Sequence, residues 1–175
     1  MKADELKALQ APLKARYKET PDAAVITLHA HGSLDGDGIA CRVDTGRALV
    51  EAGLHPATGG TGLQACSGDM LLEALVACAG VTLRAVATAL GVEVRGGSVD
   101  AEGELDFRGT LGVDRAAPVG FRAVRLRFDL DTNAKPDQIA SLVKLTERYC
   151  VVYQTLVRSP DMALDVQVRG DKRVT

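Results

Sequence analysis

An α+β fold, an antiparallel sheet with helices on one face, is the architecture that this 175-residue sequence predicts. Three observations carry it. The run DMLLEALVACAGVTLRAVATAL, residues 69–90, is apolar around most of a helix. Stretches on both sides of it alternate apolar and polar residues at the period of a strand, and a second helical pattern begins at Pro136. The resulting order of strands, helix, strands, helix, strand suits antiparallel pairing better than a parallel doubly wound sheet.

Taken in order, Leu6, Leu9 and Leu13 recur at steps of three and four between charged residues, which predicts a short amphipathic helix that Pro12 bends or ends. Pro21-Asp22 turns the chain into VITLHAHGSL, a strand with Ile26, Leu28 and Ala30 on one face and Val25, Thr27, His29 and His31 on the other. Asp35-Gly36-Asp37-Gly38 supplies a hairpin turn, and IACRVD is the return strand. RALVEAGL is strand-like or irregular, and HPATGGTGLQACSGD is too rich in glycine to be regular. The long helix follows, with Ser67 placed to cap it, Asp69 in its first turn and Gly91 at its end.

Within that helix Leu71, Leu75, Cys78 and Thr82 share one side, while Leu72, Ala79, Leu83, Val86 and Leu90 form a broad adjoining one. A monomer of this length struggles to cover such a helix, so a homodimer is expected. After Gly91, VEVRGGSVDAEGELDF reads as two short strands, with a bulge or loop between Gly103 and Gly112. AVRLRFDLD is the clearest strand, Val124, Leu126, Phe128 and Leu130 opposing Arg125, Arg127, Asp129 and Asp131. Pro136 opens the second helix, DQIASLVKLTERYCVVYQTL, in which Cys150 ends the apolar pattern. Ser159-Pro160-Asp161 breaks it before a last strand through Leu164, Val166 and Val168.

Length and a hydrophobic content of 46% fit one domain over 23–175, preceded by a helical extension over 1–22. Lys plus Arg number 21 against 23 for Asp plus Glu, so the charge of -2 gives no general attraction for nucleic acid or anionic membrane. Glu73 and Arg84 interrupt the most apolar window, and no basic-then-apolar signal opens the chain, so a cytoplasmic location is expected. His29 and His31 share a strand face without a third ligand, and His55 has no evident partner, so no metal is expected. GGTG at 59–62 lacks the lysine of a phosphate loop, and no cofactor is expected. Cysteines 41, 66, 78 and 150 form no CxxC pair and no disulfide framework; they are free or cycling. Each alone is a small hydrophobe, but Cys78 and Cys150 sit on two helices that must cover the same sheet, where two thiols can act in turn.

The runs LLEALVACAGVTLRAVA and LTERYCVVYQTL carry a resemblance to the OsmC/Ohr family of thiol-dependent hydroperoxide reductases, extending from about Val25 to Val168. The resemblance implies an intertwined homodimer with a strongly curved antiparallel sheet around two central helices. It implies reduction of organic hydroperoxides, often also hydrogen peroxide, with Cys78 peroxidatic, Cys150 resolving and an external dithiol, possibly lipoyl in type, as reductant. It further implies an activating arginine from the N-terminal sheet region, where Arg42 and Arg47 lie. The organic hydroperoxide branch has a glutamate where this chain has Gly68, with Asp69 beside it as the acidic candidate to orient that arginine, and a proline where this chain has Val151. Cys66 is a competing resolving partner or a bystander. Two other classes stay open: a small-ligand binder or structural dimer of the same fold, and a transferase or thioesterase using Cys78 alone.

Overall fold

The computed structural model describes residues 3–33, 42–43, 52–168 and 172–174. Helix α1 (Ala3–Glu19) and a short 3-10 turn (Pro21–Ala24) lead into β1 (Val25–Ser33), which β2 (Arg42–Val43) joins. A second 3-10 turn (Pro56–Thr58) precedes the long helix α2 (Ser67–Leu90), followed by β3 (Gly96–Asp106), the single turn α3 (Phe107–Thr110) and β4 (Phe121–Asp131). The chain closes with α4 (Pro136–Tyr149), α5 (Val151–Val157) and the short strands β5 (Val166–Val168) and β6 (Lys172–Val174).

The main sheet runs β2-β1-β3-β4 with every neighbour antiparallel, while β5 and β6 pair apart from it. One face of that sheet carries α2. Leu72, Leu75, Val76, Ala79 and Leu83 are sealed against Val99 and Ala101 of β3 and Leu142 of α4. Each such leucine removed from water contributes about 1.5–3 kcal/mol before the entropy of ordering it is counted. Helix α2 has the length and hydropathy of a membrane span, yet 44% of its most apolar window is buried inside the protein, as in a core helix. Arg84, the basic residue of that window, turns inward and donates from Nη1 to the Val94 carbonyl at 2.6 Å.

Several expectations need correction. Helix α1 runs unbroken through Pro12. The missing amide bond is offset by docking of its second half: Tyr17 is buried with Phe107 and Leu111, its hydroxyl donates to Ala57 O at 2.8 Å, and Gln10 Nε2 donates to Thr58 O at 3.2 Å. Ser67 is the first residue of α2 rather than its cap; Cys66 takes the cap position without a side-chain bond. Gly91 ends the helix in the left-handed region (φ 66°) as expected. The segment 96–106 is one strand, not two. Gly103 sits inside it because a β-carbon there would lie 2.3 Å from the Phe121 ring, and the bulge expected beyond it is the register shift between Glu104 and Leu105. The second helical pattern is likewise split, at Cys150, into α4 and α5. The hairpin turn 35–38 and the piece 47–51 lie outside the described residues.

Candidate active site

The break at Cys150 builds the site. Cys150 holds an extended backbone (φ -72°, ψ 108°) and so ends α4 while opening α5. Its N–H still donates to Thr146 O, and its carbonyl accepts from Gln154 N, both at 2.9 Å. A helix beginning here leaves its first amides without carbonyl partners, and the two sulfurs receive them. Cys150 Sγ accepts from Tyr153 N at 3.5 Å. Cys78, half-buried midway along α2, accepts from the amides of Val152 and Val151, from the Cys150 thiol and from the Thr82 hydroxyl one turn on.

These contacts divide the acidity of the pair. Burial by itself raises the Cys78 thiol, but the Val152 amide, the Cys150 S–H, the Val151 amide and Thr82 together bring it below its ordinary value. Cys150 goes the other way, up to about 11: burial is the main cause, and although the Tyr153 amide favours its anion, the hydrogen bond to Cys78 and the charge there oppose it. The negative charge of the pair therefore belongs on Cys78 and the proton on Cys150. Between them α2 and α5 hold the more acidic of two thiols beside one that burial keeps protonated, an arrangement suited to nucleophilic attack followed by disulfide closure.

Leu75, one turn before Cys78 on α2, walls a cleft of about 500 Å³ together with Leu71, with Val124 and Leu126 of β4, and with Tyr153 and Leu156 of α5. The two leucines are those that the helical spacing puts on the side of Cys78. A second cleft, of about 380 Å³, shares Leu71 and Phe121 with the first and is lined further on by His55, Cys66 and Phe107.

A family model described as OsmC-like protein matches residues 60–165, a span that includes both cysteines. This chain belongs to the OsmC-like family. Among solved structures it is similar to an OsmC-like hydroperoxide resistance protein from Jannaschia sp. CCS1, with 17% identity over 86% of this chain and 98% of that one and a TM-score of 0.62. At that identity the likeness speaks for the fold. No protein in the curated set matches the chain.

The other expected site residues of this OsmC-like chain are scattered. Arg42 lies in β2, paired with Ser33 and on a strand that contacts α2, while Arg47 and Cys41 fall outside the described residues. Asp69 stands nine positions before Cys78 on the same helix, about 13 Å along its axis at 1.5 Å per residue, so within this chain it does not touch the thiol. Cys66, twelve positions before, is about 18 Å away along the axis, beyond disulfide reach, whereas Cys150 interacts with Cys78 directly. His31 points outward and bonds Asp100 at 2.8 Å. His55 has partners after all: it stacks on Phe107 with ring centres 5.0 Å apart, and its Nδ1 accepts from Ala57 N. Among the described residues no cluster of three or more His, Cys, Asp or Glu is arranged to hold a metal.

Sequence reasoning missed the amides of Val151 and Val152 as ligands of the thiolate, since they depend on the helix break. Thr82 was legible as a neighbour of Cys78 on one helical side, but its bond to the sulfur was not.

Proposed function

We propose that this OsmC-like chain is a thiol peroxidase that reduces organic hydroperoxides through a sulfenic acid on Cys78 and a disulfide with Cys150. The observation that carries the reading is the hydrogen-bonded thiol pair, acidified on Cys78 and held protonated on Cys150, one helical turn from the Leu75 that walls an apolar cleft. The Cys78 thiolate attacks the distal oxygen of ROOH; the O–O bond breaks, RO⁻ leaves and takes a proton to become ROH, and Cys78 becomes the sulfenic acid. With the negative charge gone from Cys78, one cause of the high Cys150 value disappears. Cys150 then loses its proton and attacks the Cys78 sulfur, and hydroxide leaves as water. The sum is ROOH plus two thiols giving ROH, water and a disulfide.

An external dithiol, for which a lipoyl group is the class the family resemblance implies, reduces the bridge by exchange. The activating arginine belongs to the N-terminal sheet region, to which Arg42 and Arg47 contribute, with Asp69 to orient it. A second copy of the chain completes the fold, because the outward side of α2 presents Met70, Leu71 and Val81 to solvent at 38–40% exposure with no charged group among them. The protein works in the cytoplasm, where its thiols are kept reduced.

One assay tests the reading. Reduced protein mixed with one equivalent of cumene hydroperoxide should lose two thiols, and peptide mapping should find them joined between Cys78 and Cys150. Loss of no thiol would leave a ligand binder of the same fold, and a Cys78 adduct without a bridge would leave a thiol transferase.

A further inference from the structure

Before Cys150 can attack the Cys78 sulfur it must lose its proton. Bulk water does not collect it: Cys150 is 1% exposed, in a core cluster with Val76, Ala79 and Leu142. Thr146, one turn before it on α4, is buried to the same degree, and its hydroxyl already donates to Leu142 O at 2.8 Å. The amides of Tyr153 and Val152 donate to the Cys150 sulfur and take nothing from it. Neither His31 nor His55 serves as a base, since the first is exposed and bonds Asp100 while the second stacks on Phe107, which belongs to the separate cluster around Tyr17. What does accept from the Cys150 thiol is the sulfur of Cys78. The proton of the sealed thiol is thus aimed at the atom on which the peroxide is cleaved.

That placement suits an acid as well as a nucleophile. When the Cys78 thiolate attacks the distal oxygen of ROOH, negative charge builds on the proximal oxygen, two bonds from the same sulfur. An alkoxide is a far stronger base than a thiolate. A thiol raised to about 11 by burial and by Cys78 therefore keeps its proton until the alkoxide appears, and then gives it up.

We propose that Cys150 is the general acid of the first step: the proton on its sulfur passes to the leaving alkoxide, and the same transfer makes the Cys150 thiolate that closes the disulfide. The Cys78 S–O bond forms as the O–O bond breaks, RO⁻ takes the Cys150 proton and leaves as ROH, and the S–S bond forms as the S–O bond breaks and hydroxide departs. ROOH, one thiolate and one thiol give ROH, hydroxide and a disulfide, the peroxide being reduced and the two sulfurs oxidised. One proton transfer ties the two steps together. The role rests on the peroxidase reading, to which it adds the proton donor.

The experiment compares cumene hydroperoxide, whose alkoxide needs the proton, with peracetic acid, whose acetate leaves without one. Single-turnover peroxide consumption is followed at pH 7 in the unaltered protein, Cys150→Ala and Cys150→Ser. A general acid contributes about 10²–10⁴-fold, so Cys150→Ala should slow cumene hydroperoxide at least about tenfold more than peracetic acid. Loss of a donor to the Cys78 thiolate slows both peroxides alike and cancels in their ratio. Cys150→Ser, closest to cysteine in size, carries a weaker acid and should move the ratio the same way by less. The unaltered protein gives a second readout: after peracetic acid Cys150 keeps its proton, so a sulfenic acid on Cys78 should last long enough for a trapping reagent to label it, whereas cumene hydroperoxide should give the disulfide with little label. Parallel slowing of the two peroxides in the variants, or equal labelling from both in the unaltered protein, would leave Cys150 as a resolving thiol alone and overturn the assignment. Consumption of neither peroxide by the unaltered protein is a different result, which removes the peroxidase reading and this role with it.

Discussion

The thiol of Cys150 donates its proton to the sulfur of Cys78, and the unequal surroundings of the two decide which one carries the charge. Cys150 is almost wholly sealed, at 1% exposure, whereas Cys78 is half-buried and faces two amides at the start of α5. The rate of Cys78 oxidation should therefore decline as pH falls through a value below the ordinary thiol pKa of about 8.5. Replacing Cys150 by Ala removes one donor to the thiolate and should shift this profile to higher pH, slowing the reaction severalfold at pH 7. Replacing Cys78 by Ala should lower the Cys150 value from about 11, since the bond and charge of Cys78 help to raise it, while burial keeps it above the ordinary range. Thiolate absorbance against pH checks both; an unmoved Cys78 profile in Cys150→Ala would break the coupling.

Cys78→Ser should abolish peroxide consumption, a fall of at least about a hundredfold, because a serine without an activating base does not supply the attacking anion. Cys150→Ser should consume one equivalent and stop at a sulfenic acid that a dimedone-type reagent labels, with sulfinic acid accumulating under excess peroxide. A disulfide to Cys66 in that variant would contradict the 18 Å axial separation along α2, estimated at about 1.5 Å per residue.

Much of this fold could be read from spacing, and the exceptions share a cause. Helix α2 and strand β4 appeared where their periods put them, because each turns one face to the same core and the pattern records that burial. Cys150 was different. The apolar pattern ends at Cys150 as α4 does, but nothing in that pattern says that a new helix starts there, whose first amides face Cys78. Gly103 was read as the start of a bulge or loop, and the bulge is there, but the Phe121 ring across the sheet that requires a glycine leaves no trace in local sequence. His55 looked solitary because its partner, Phe107, is more than fifty residues away in the chain. The pairing of Cys78 with Cys150 came from family likeness joined to helix placement, and the bulge expected between Gly103 and Gly112 is the register shift between Glu104 and Leu105.

Gly103→Ala should test how far that close approach shapes the cleft. The added methyl would press on the Phe121 ring, which lines both clefts, so the ring must move or β3 and β4 must part. A loss of about 1–3 kcal/mol is expected, read from the urea midpoint, with weaker binding of apolar ligands. Unchanged stability would mean that the ring swings aside freely.

Asp106 should report acid stability. It is buried, caps α3 by accepting from Arg108 N at 3.1 Å, and binds the Arg108 side chain, which holds its carboxyl below the usual carboxylate range. A depressed folded value contributes stability that is present above the unfolded pKa of about 3.9 and is lost as pH falls through the lower folded value. Asp106→Ala should cost about 2 kcal/mol at pH 7, and its penalty should shrink in acid. A penalty that is constant with pH would show that the loss is one of packing and not of the ion pair.

The outward side of α2 bears on assembly. Val81 is 40% exposed and Met70 and Leu71 38% each, on the helix that carries Cys78 at its middle, while Arg84 has turned inward to Val94. Covering such a stripe with the same stripe of a second copy buries apolar surface on both at once, whereas a charge placed in its middle would be buried twice over about the two-fold axis. Light scattering of the unaltered protein should therefore give twice 18.4 kDa, and Val81→Asp should shift the mass toward 18.4 kDa. Because Val81 lies one turn beyond Cys78, the variant should also lose peroxide turnover if the activating arginine comes from the second copy, and keep it if the site is complete within one chain. A unaltered protein that is monomeric at micromolar concentration would remove the dimer and leave α2 with its apolar side to water.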